Sequence, residues 1–250
     1  MDYSQLIVVQ CNGLQKIQTR KNHYKQWGAP LGFDEQGWVD RFTTLEQDKW
    51  AEGDRYVTWA LVCKDDPNST DMLAHCETFR RISLAKEPGS NDAKDVTSYG
   101  IASVFTPPSN RGKGYARQLL RLIHYVIAPS SLLPPFPTHW GSAPQIAGFR
   151  DAEFSVLYSG VGDKYYATCR RGDGLSSEAG WIRQNITLRT WDVTAAPEAA
   201  SSEAGWEWLG HDSLSDLEAS TDREMRKAFG NDADGSYQFA ILPTWCIQEI

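Results

Sequence analysis

The sequence predicts a mixed α/β fold (an α+β mixed sheet), and two observations lead to this prediction. The first is a pair of strands, 56–63 and 72–82, separated by the polar turn 65–71, which indicates an antiparallel hairpin. The second is a strand at 96–105 that is followed by an amphipathic helix and by a further strand at 153–158. Hairpins and strand–helix–strand units in one chain indicate helices packed on a sheet of mixed strand direction.

The other elements before residue 150 follow from local patterns. Residues 6–10 predict a short β-branched strand, and residues 14–50 predict amphipathic helix that is interrupted by glycine and proline. The segment 112–127 carries apolar residues three and four positions apart, which form one face of a helix: Ala116, Leu119, Leu120, Ile123, Val126 and Ile127. The proline-rich run 132–144 excludes regular structure and lies in an inserted loop, 128–150.

The last third of the chain predicts a shorter set of elements: a short helix at 163–169, a strand at 186–193, a helix at 215–229 and an apolar strand at 237–242. A linker of small and acidic residues, 195–204, separates the middle two. We therefore expect one domain at 1–193. We expect residues 194–250 to form a linker and the start of an incomplete C-terminal domain.

Composition and charge argue against several classes of protein. The 25 Lys and Arg residues against 32 Asp and Glu residues give a net charge of −7, whereas nucleic acids and anionic membranes select basic surfaces. No run approaches the roughly 20 apolar residues of a membrane-spanning helix. The 5 cysteines are scattered without a CxxC pair or a His/Cys cluster, so neither a disulfide scaffold nor a metal site is expected. Because the N-terminus has no signal-peptide pattern, we expect a cytoplasmic protein without nucleic-acid or membrane partners.

The most specific chemical motif stands between a strand and a helix, and its residues are Arg111, Gly112, Lys113, Gly114, Tyr115 and Ala116. The glycines let backbone N–H groups approach an anion, the helix N-terminus adds a positive dipole, and the two cations add charge. The motif predicts a pyrophosphate site. It lacks the GxxxxGK[ST] pattern of a Walker loop, and Arg117 stands where a dinucleotide fingerprint needs its third glycine. A basic helix start without a ligand is the alternative.

The form Arg-x-x-Gly-x-Ala resembles the acetyl-CoA signature of the GNAT acetyltransferases. Further segments are similar to one branch, the fungal lysine N6-acetyltransferases of lysine catabolism: 22–45, 73–81, 100–105, 154–167 with Gly180 and Trp181, 208–217 and 241–243. The resemblance implies the GNAT acyl-CoA N-acyltransferase fold with a partial C-terminal extension, in a C-terminally truncated member. It also implies acetyl-CoA as co-substrate, no metal, and direct transfer of acetyl to an amine.

The resemblance also implies roles for individual residues. Backbone groups of Val104 and Phe105 are expected to pair with the pantetheine arm and to polarise the thioester carbonyl, which requires a strand splayed at this point. Tyr166 matches the helix tyrosine that protonates the departing CoA thiolate in the family, and a core aromatic is its alternative. We expect the acceptor side to be lined by Tyr158, Trp27 and Trp38.

A general base is useful because a primary ammonium, with a pKa near 10.4, must lose a proton before it attacks. Glu77 is our candidate, since it lies on the strand beside the expected cofactor strand. His75, two residues away on the same face, is the reserve. The alternative for Glu77 is a solvent-facing residue of the hairpin. The other histidines, His23 among them, receive no role.

Three functions stay open at this point, beside acetylation of protein lysines, for which the acidic composition offers no special argument. The first is acetylation of the side-chain amine of free L-lysine, which the resemblance implies. The second is acetylation of a different small-molecule amine, such as another amino acid, a polyamine or a toxic metabolite. Gly160 motivates it, because the branch usually has an acidic residue there, and so does the lengthened segment 168–179. The third is a weakly catalytic acyl-CoA-binding module. The expected partner is a small-molecule amine acceptor, with monomer and homodimer both open.

Overall fold

A computed structural model of the chain describes residues 2–90, 92–173, 180–184, 211–229 and 236–243. Its strands are Leu6–Gln10 (β1), Tyr56–Cys63 (β2), Ala74–Lys86 (β3), Lys94–Phe105 (β4), Ala152–Leu157 (β5) and Gln238–Ile241 (β6). They form one sheet in the order β1-β2-β3-β4-β5, and β6 pairs with β3. All neighbours are antiparallel except β4 and β5, which are parallel. The predicted mixed α/β class is therefore confirmed.

The α-helices of the described residues are Gly13–His23 (α1), Glu35–Leu45 (α2), Tyr115–Ile127 (α3), Asp163–Ala167 (α4) and His211–Ala228 (α5). A π turn, Tyr24–Gly28, and a 3-10 turn, Ala29–Leu31, separate α1 from α2. The predicted interruption by glycine and proline is thus confirmed. The helix predicted from residue 112 begins three residues later, because Gly112 and Gly114 have left-handed φ angles that a helix does not accommodate.

The main core lies between α3 and one face of the sheet. Leu119, Leu120 and Ile123 of α3 are fully buried in one cluster with Trp59 and Leu61 of β2. Each such aliphatic side chain contributes about 1.5–3 kcal/mol relative to an exposed one. This packing fixes α3 on the sheet, and with it the loop that precedes the helix.

Helices α1 and α2 cover the opposite face. Ala74 and Cys76 of β3 belong to the main core, so His75, between them, projects from the other side of the strand. The two helices are joined through Glu46, which forms ion pairs with Arg20 and, at 3.3 Å, with Lys16. His75 therefore lies in a layer between β3 and this helix pair.

The inserted loop 128–150 is more ordered than its prolines predict. It contains two 3-10 turns, Ser130–Leu132 and Thr138–Trp140, each preceded by a proline that favours a turn. Trp140 is buried and packs edge-on against Tyr125 of α3. The prediction of no regular structure over 132–144 is therefore wrong for the second turn and for Leu132, the last residue of the first, because proline excludes α-helix and strand but not short 3-10 segments.

The C-terminal helix and strand are confirmed, as α5 and β6. β6 runs antiparallel to the end of β3, with Ser83 opposite Ile241. The predicted strand 186–193 and linker 195–204 lie outside the described residues, and the division at residue 194 stays a prediction. No helix in the described ranges is both long enough and apolar enough to cross a membrane.

Candidate active site

Strand β4 carries a bulge at Ser103. His75 of β3 is in register with Phe105. Two residues further along β3, Glu77 faces Ala102 rather than Ser103, so β4 holds one extra residue between the two pairs. Ser103 has a φ of 49°, a left-handed conformation that residues other than glycine rarely adopt. The bulge bends β4 at the point where the role that the resemblance implies for Val104 and Phe105 requires a splayed strand.

The pairing of β4 with β5 ends just before this bulge. Their parallel pairing ends with Ile101 opposite Leu157, and no described residue of β5 is in register with Val104 or Phe105. The residue after β5, Tyr158, is 88% exposed. On this side, the edge of β4 at Val104 and Phe105 therefore has no paired strand among the described residues, and we call this open edge the gap between β4 and β5. An extended group with amides of its own can pair with β4 there, as an added strand would.

The glycine-containing loop follows β4 after a single 3-10 turn, Pro108–Asn110. Gly112 and Gly114 both have a φ of 76°, which glycine adopts without strain. α3 begins at Tyr115 without a side-chain cap, so the N–H groups of its first turn, Ala116 included, are open to an anion.

Two cations stand beside this helix start. Arg111 Nε donates a hydrogen bond to the Thr106 carbonyl at 3.1 Å, and its guanidinium lies 5.6 Å above the Phe105 ring. Lys113 is exposed between the two glycines. The loop therefore joins an anion site to the end of β4, and one extended ligand can contact both.

Glu77 is buried between β3 and the α1–α2 layer, with 3% of its surface exposed. Its Oε1 accepts a hydrogen bond from Tyr56 Oη at 2.7 Å, and its Oε2 accepts one from Ser103 Oγ at 2.6 Å. Burial raises the pKa of this carboxyl above its usual range, although both hydrogen bonds act in the opposite direction. The alternative of a solvent-facing glutamate is therefore wrong. Glu77 is a buried carboxyl group that adjoins the bulge.

Two imidazoles, His75 and His23, meet beside Phe105. Their ring centroids are 5.7 Å apart, and His75 stacks on Phe105 at 5.3 Å. Both are buried, and none of their ring nitrogens has a hydrogen-bond partner among the described residues. Burial lowers the pKa of His75 to about 3 and that of His23 to about 4, so both rings are neutral at neutral pH. His75 is therefore the weaker base when compared with Glu77.

Tryptophans extend this cluster. Trp27 lies 5.0 Å from His23 and 6.0 Å from Phe105, and Trp38 lies 5.8 Å from His23, all as ring-centroid distances. The structure thus brings Trp27 and Trp38 to the same place as His75, but it leaves Tyr158 exposed and outside the cluster. Sequence reasoning missed His23; its spacing of four residues from Trp27 on a helical segment was the available signal.

Tyr166 lies on the α3 side of the sheet, opposite Glu77. It is a buried member of the main core, and its ring is 5.2 Å from that of Tyr165. Val104 and Tyr115 pack against the same core. The ring of Tyr166 is thus a core aromatic, and its role as an acid stays a prediction.

Gly180 and Trp181 brace α4. A Cβ on Gly180 would lie 2.3 Å from the Cys169 carbonyl oxygen and 2.7 Å from that of Tyr166. Trp181 stacks on His124 of α3 with ring centroids 4.3 Å apart. The Gly-Trp pair therefore fixes the end of α4 against α3, and with it the position of Tyr166. In the described ranges, no group of three or more His, Cys, Asp or Glu side chains could hold a metal ion.

No protein-family profile matches this sequence. Among curated proteins, the chain is 29% identical over 103 residues to a lysine acetyltransferase of Yarrowia lipolytica, a stretch that covers 41% of this chain and 24% of that protein. The match thus spans about a quarter of the length of this relative.

Several solved acetyltransferases are similar to the chain. Glucosamine-6-phosphate N-acetyltransferase from Arabidopsis thaliana is 12% identical with a TM-score of 0.39, over 74% of this chain and 97% of that one. A putative acetyltransferase from Agrobacterium tumefaciens is 11% identical with a TM-score of 0.43, over 74% and 99%. A predicted acetyltransferase with acetyl-CoA from Clostridium acetobutylicum is 14% identical with a TM-score of 0.37, over 72% and 96%.

Proposed function

We propose that the chain is an acetyl-CoA-dependent N-acetyltransferase of the GNAT type that passes acetyl directly to a primary amine. The observation that carries this proposal is the bulged end of β4, which extends past its pairing with β5 and leads into the uncapped glycine loop of α3. Acetyl-CoA has a thioester, then the two amides of pantetheine, then a diphosphate. A free strand edge followed by an anion site matches that order.

On the donor side, the loop residues bind the diphosphate through N–H groups of the first turn of α3 and through Arg111 and Lys113. Gly112, Gly114, Tyr115 and Ala116 supply the backbone. Val104 and Phe105 pair with the pantetheine amides, and a backbone N–H at this point polarises the thioester carbonyl. Tyr166 protonates the departing thiolate from the opposite side of the sheet.

On the acceptor side, Trp27, Trp38 and His75 line the amine site, where aromatic faces attract an organic ammonium. Deprotonating that ammonium at pH 7 costs about 4.6 kcal/mol, from a pKa near 10.4. Glu77 receives the proton, because burial has raised the pKa of its carboxyl group. His75 is the reserve base, and its lower pKa makes it the weaker candidate.

The acceptor we propose is the side-chain amine of free L-lysine, as in the lysine catabolism of the fungal branch that the sequence resembles. The stretch that is 29% identical to a lysine acetyltransferase supports this choice. Gly160, where that branch usually has an acidic residue, favours another small amine as the second candidate. We place the reaction in the cytoplasm, since the cysteines of the described residues are free, as in reducing compartments.

The test is release of CoA from acetyl-CoA by the purified chain, with L-lysine and with a panel of other primary amines. We expect saturable, lysine-dependent release, with the acetyl group on the side-chain nitrogen by mass spectrometry. Release with another amine alone would show that this amine, and not lysine, is the acceptor, and the proposed acetyl-CoA site would stand. Binding of acetyl-CoA without turnover of any amine would favour an acyl-CoA-binding module, and absence of binding would overturn the proposed function.

A further inference from the structure

Two hydroxyl groups hold the carboxyl group of Glu77, one on each oxygen. Tyr56 Oη donates to Oε1 and Ser103 Oγ donates to Oε2, at 2.7 and 2.6 Å. Because only 3% of Glu77 is exposed, an acceptor amine does not reach the carboxyl group while both hydroxyls are in place. A proton that leaves the amine therefore has to arrive at Glu77 through one of them.

Tyr56 lies at the start of β2 in a buried aromatic cluster, and not at the gap between β4 and β5. It is 5% exposed, and its ring packs at 5.1 Å from Trp50 and 5.2 Å from Phe79. Ser103, by contrast, is only half-buried and stands at the bulge where the gap begins. Of the two hydroxyls, that of Ser103 is the one with access to an acceptor.

The bulge is what turns Ser103 toward Glu77. Ala102 faces Glu77 across the sheet, so regular alternation would send the next side chain, that of Ser103, to the α3 face. The extra residue and the φ of 49° bring its Oγ to the carboxyl group instead. A left-handed φ strains a non-glycine residue, and such strain concentrates at functional sites.

We propose that Ser103 relays the proton of the acceptor ammonium to Glu77. The ammonium N–H bond breaks as Ser103 Oγ takes this proton, while the original Oγ–H proton passes to Glu77 Oε2. The ammonium and carboxylate become a neutral amine and a carboxylic acid, and the serine is regenerated. The relay rests on the proposed function. A wild-type chain that turns over no amine would overturn the proposed function, whereas the relay is overturned by the kcat of variants compared with a measured wild-type kcat.

The test uses Ser103→Gly, because glycine adopts the left-handed conformation without strain and the variant should fold. We expect kcat to fall about 100-fold, the lower end of a general acid–base contribution, with acetyl-CoA affinity and melting temperature kept. Asp54→Gly is the matched control: it also replaces a left-handed non-glycine residue, with a φ of 62°, in the turn before β2. It should keep wild-type kcat.

Two further variants separate a relay from mere tuning of the Glu77 pKa. Tyr56→Phe removes the other hydrogen bond to the same carboxyl group, so the rise of kcat with pH should shift to higher pH. At the high-pH plateau, its loss of kcat should be at least tenfold smaller than that of Ser103→Gly. Ser103→Gly combined with Glu77→Gln should be no slower than Glu77→Gln alone, since both act in one step. Equal plateau losses in Tyr56→Phe and Ser103→Gly, wild-type kcat in Ser103→Gly, or additive losses in the double variant would each overturn the relay.

Discussion

Replacing Glu77 with glutamine is expected to lower kcat by roughly 100- to 10,000-fold, the range for loss of a general base. The amide is nearly isosteric and can still accept a hydrogen bond from Tyr56, but it takes up no proton. Because burial raises the pKa of this carboxyl group, wild-type kcat should rise with pH through that raised value. The rising limb should be absent from Glu77→Gln.

Steady-state CoA release across the pH range of stable folding measures this effect. Glu153→Gln is the control, since Glu153 is an exposed carboxylate on β5, and it should keep wild-type kcat. Acetyl-CoA affinity should be the same in all three proteins. If Glu77→Gln kept kcat within about threefold of the wild type while His75→Phe lost most of its kcat, the base would be His75.

The same substitution changes how stability depends on pH. The pKa of Glu77 in the folded state lies above its ordinary value of 4.5, so the folded protein binds the proton more tightly than the unfolded chain. The stability that this proton contributes is fully present below the ordinary pKa and is lost as pH rises through the raised pKa of the folded state. Thermal melts should show this decline in the wild type and not in Glu77→Gln.

Gly180→Ala is expected to lower the free energy of unfolding by about 1–3 kcal/mol, the usual range for overpacking. The added Cβ would meet backbone atoms, the carbonyl oxygens of Cys169 at 2.3 Å and Tyr166 at 2.7 Å, rather than a flexible side chain. The backbone of α4 must shift to relieve these contacts, so kcat should fall as Tyr166 moves.

Gly160→Ala is the matched control, because a Cβ there meets no atom within 4 Å. For a chain of this size, each kcal/mol changes the melting temperature by about 2–4 °C, so scanning calorimetry resolves the difference. Gly160→Ala should melt with the wild type. Equal melting temperatures for the two variants would contradict the account of Gly180 as a brace for α4.

The elements of the sheet could be predicted because local pattern decides them. The β-branched and apolar runs at β1, β2 and β4 stand where their composition predicts strands, and the spacing on α3 predicts its buried face. The proline-rich insert departs from this, since a short 3-10 turn needs no periodic pattern, and so does the start of α3, which the φ angles of Gly112 and Gly114 delay.

The decisive features of the site depend on tertiary register, which no local pattern encodes. Ser103 is not glycine, so nothing in the sequence marks a left-handed residue, and the bulge follows from how β4 pairs with β3. The burial of Glu77 and the contact between His23 and His75 need α1 folded onto β3. The position of Tyr158 could not be predicted either, because it depends on where β5 ends.

The central claim is that acetyl-CoA lies in the gap between β4 and β5 with its diphosphate on the loop before α3. Amide hydrogen exchange, measured with and without acetyl-CoA, tests this most directly. The account predicts protection at Val104, Phe105 and residues 112–117, and none in α5. Unchanged exchange at the end of β4 in a chain that binds acetyl-CoA, or protection confined to other segments, would contradict it.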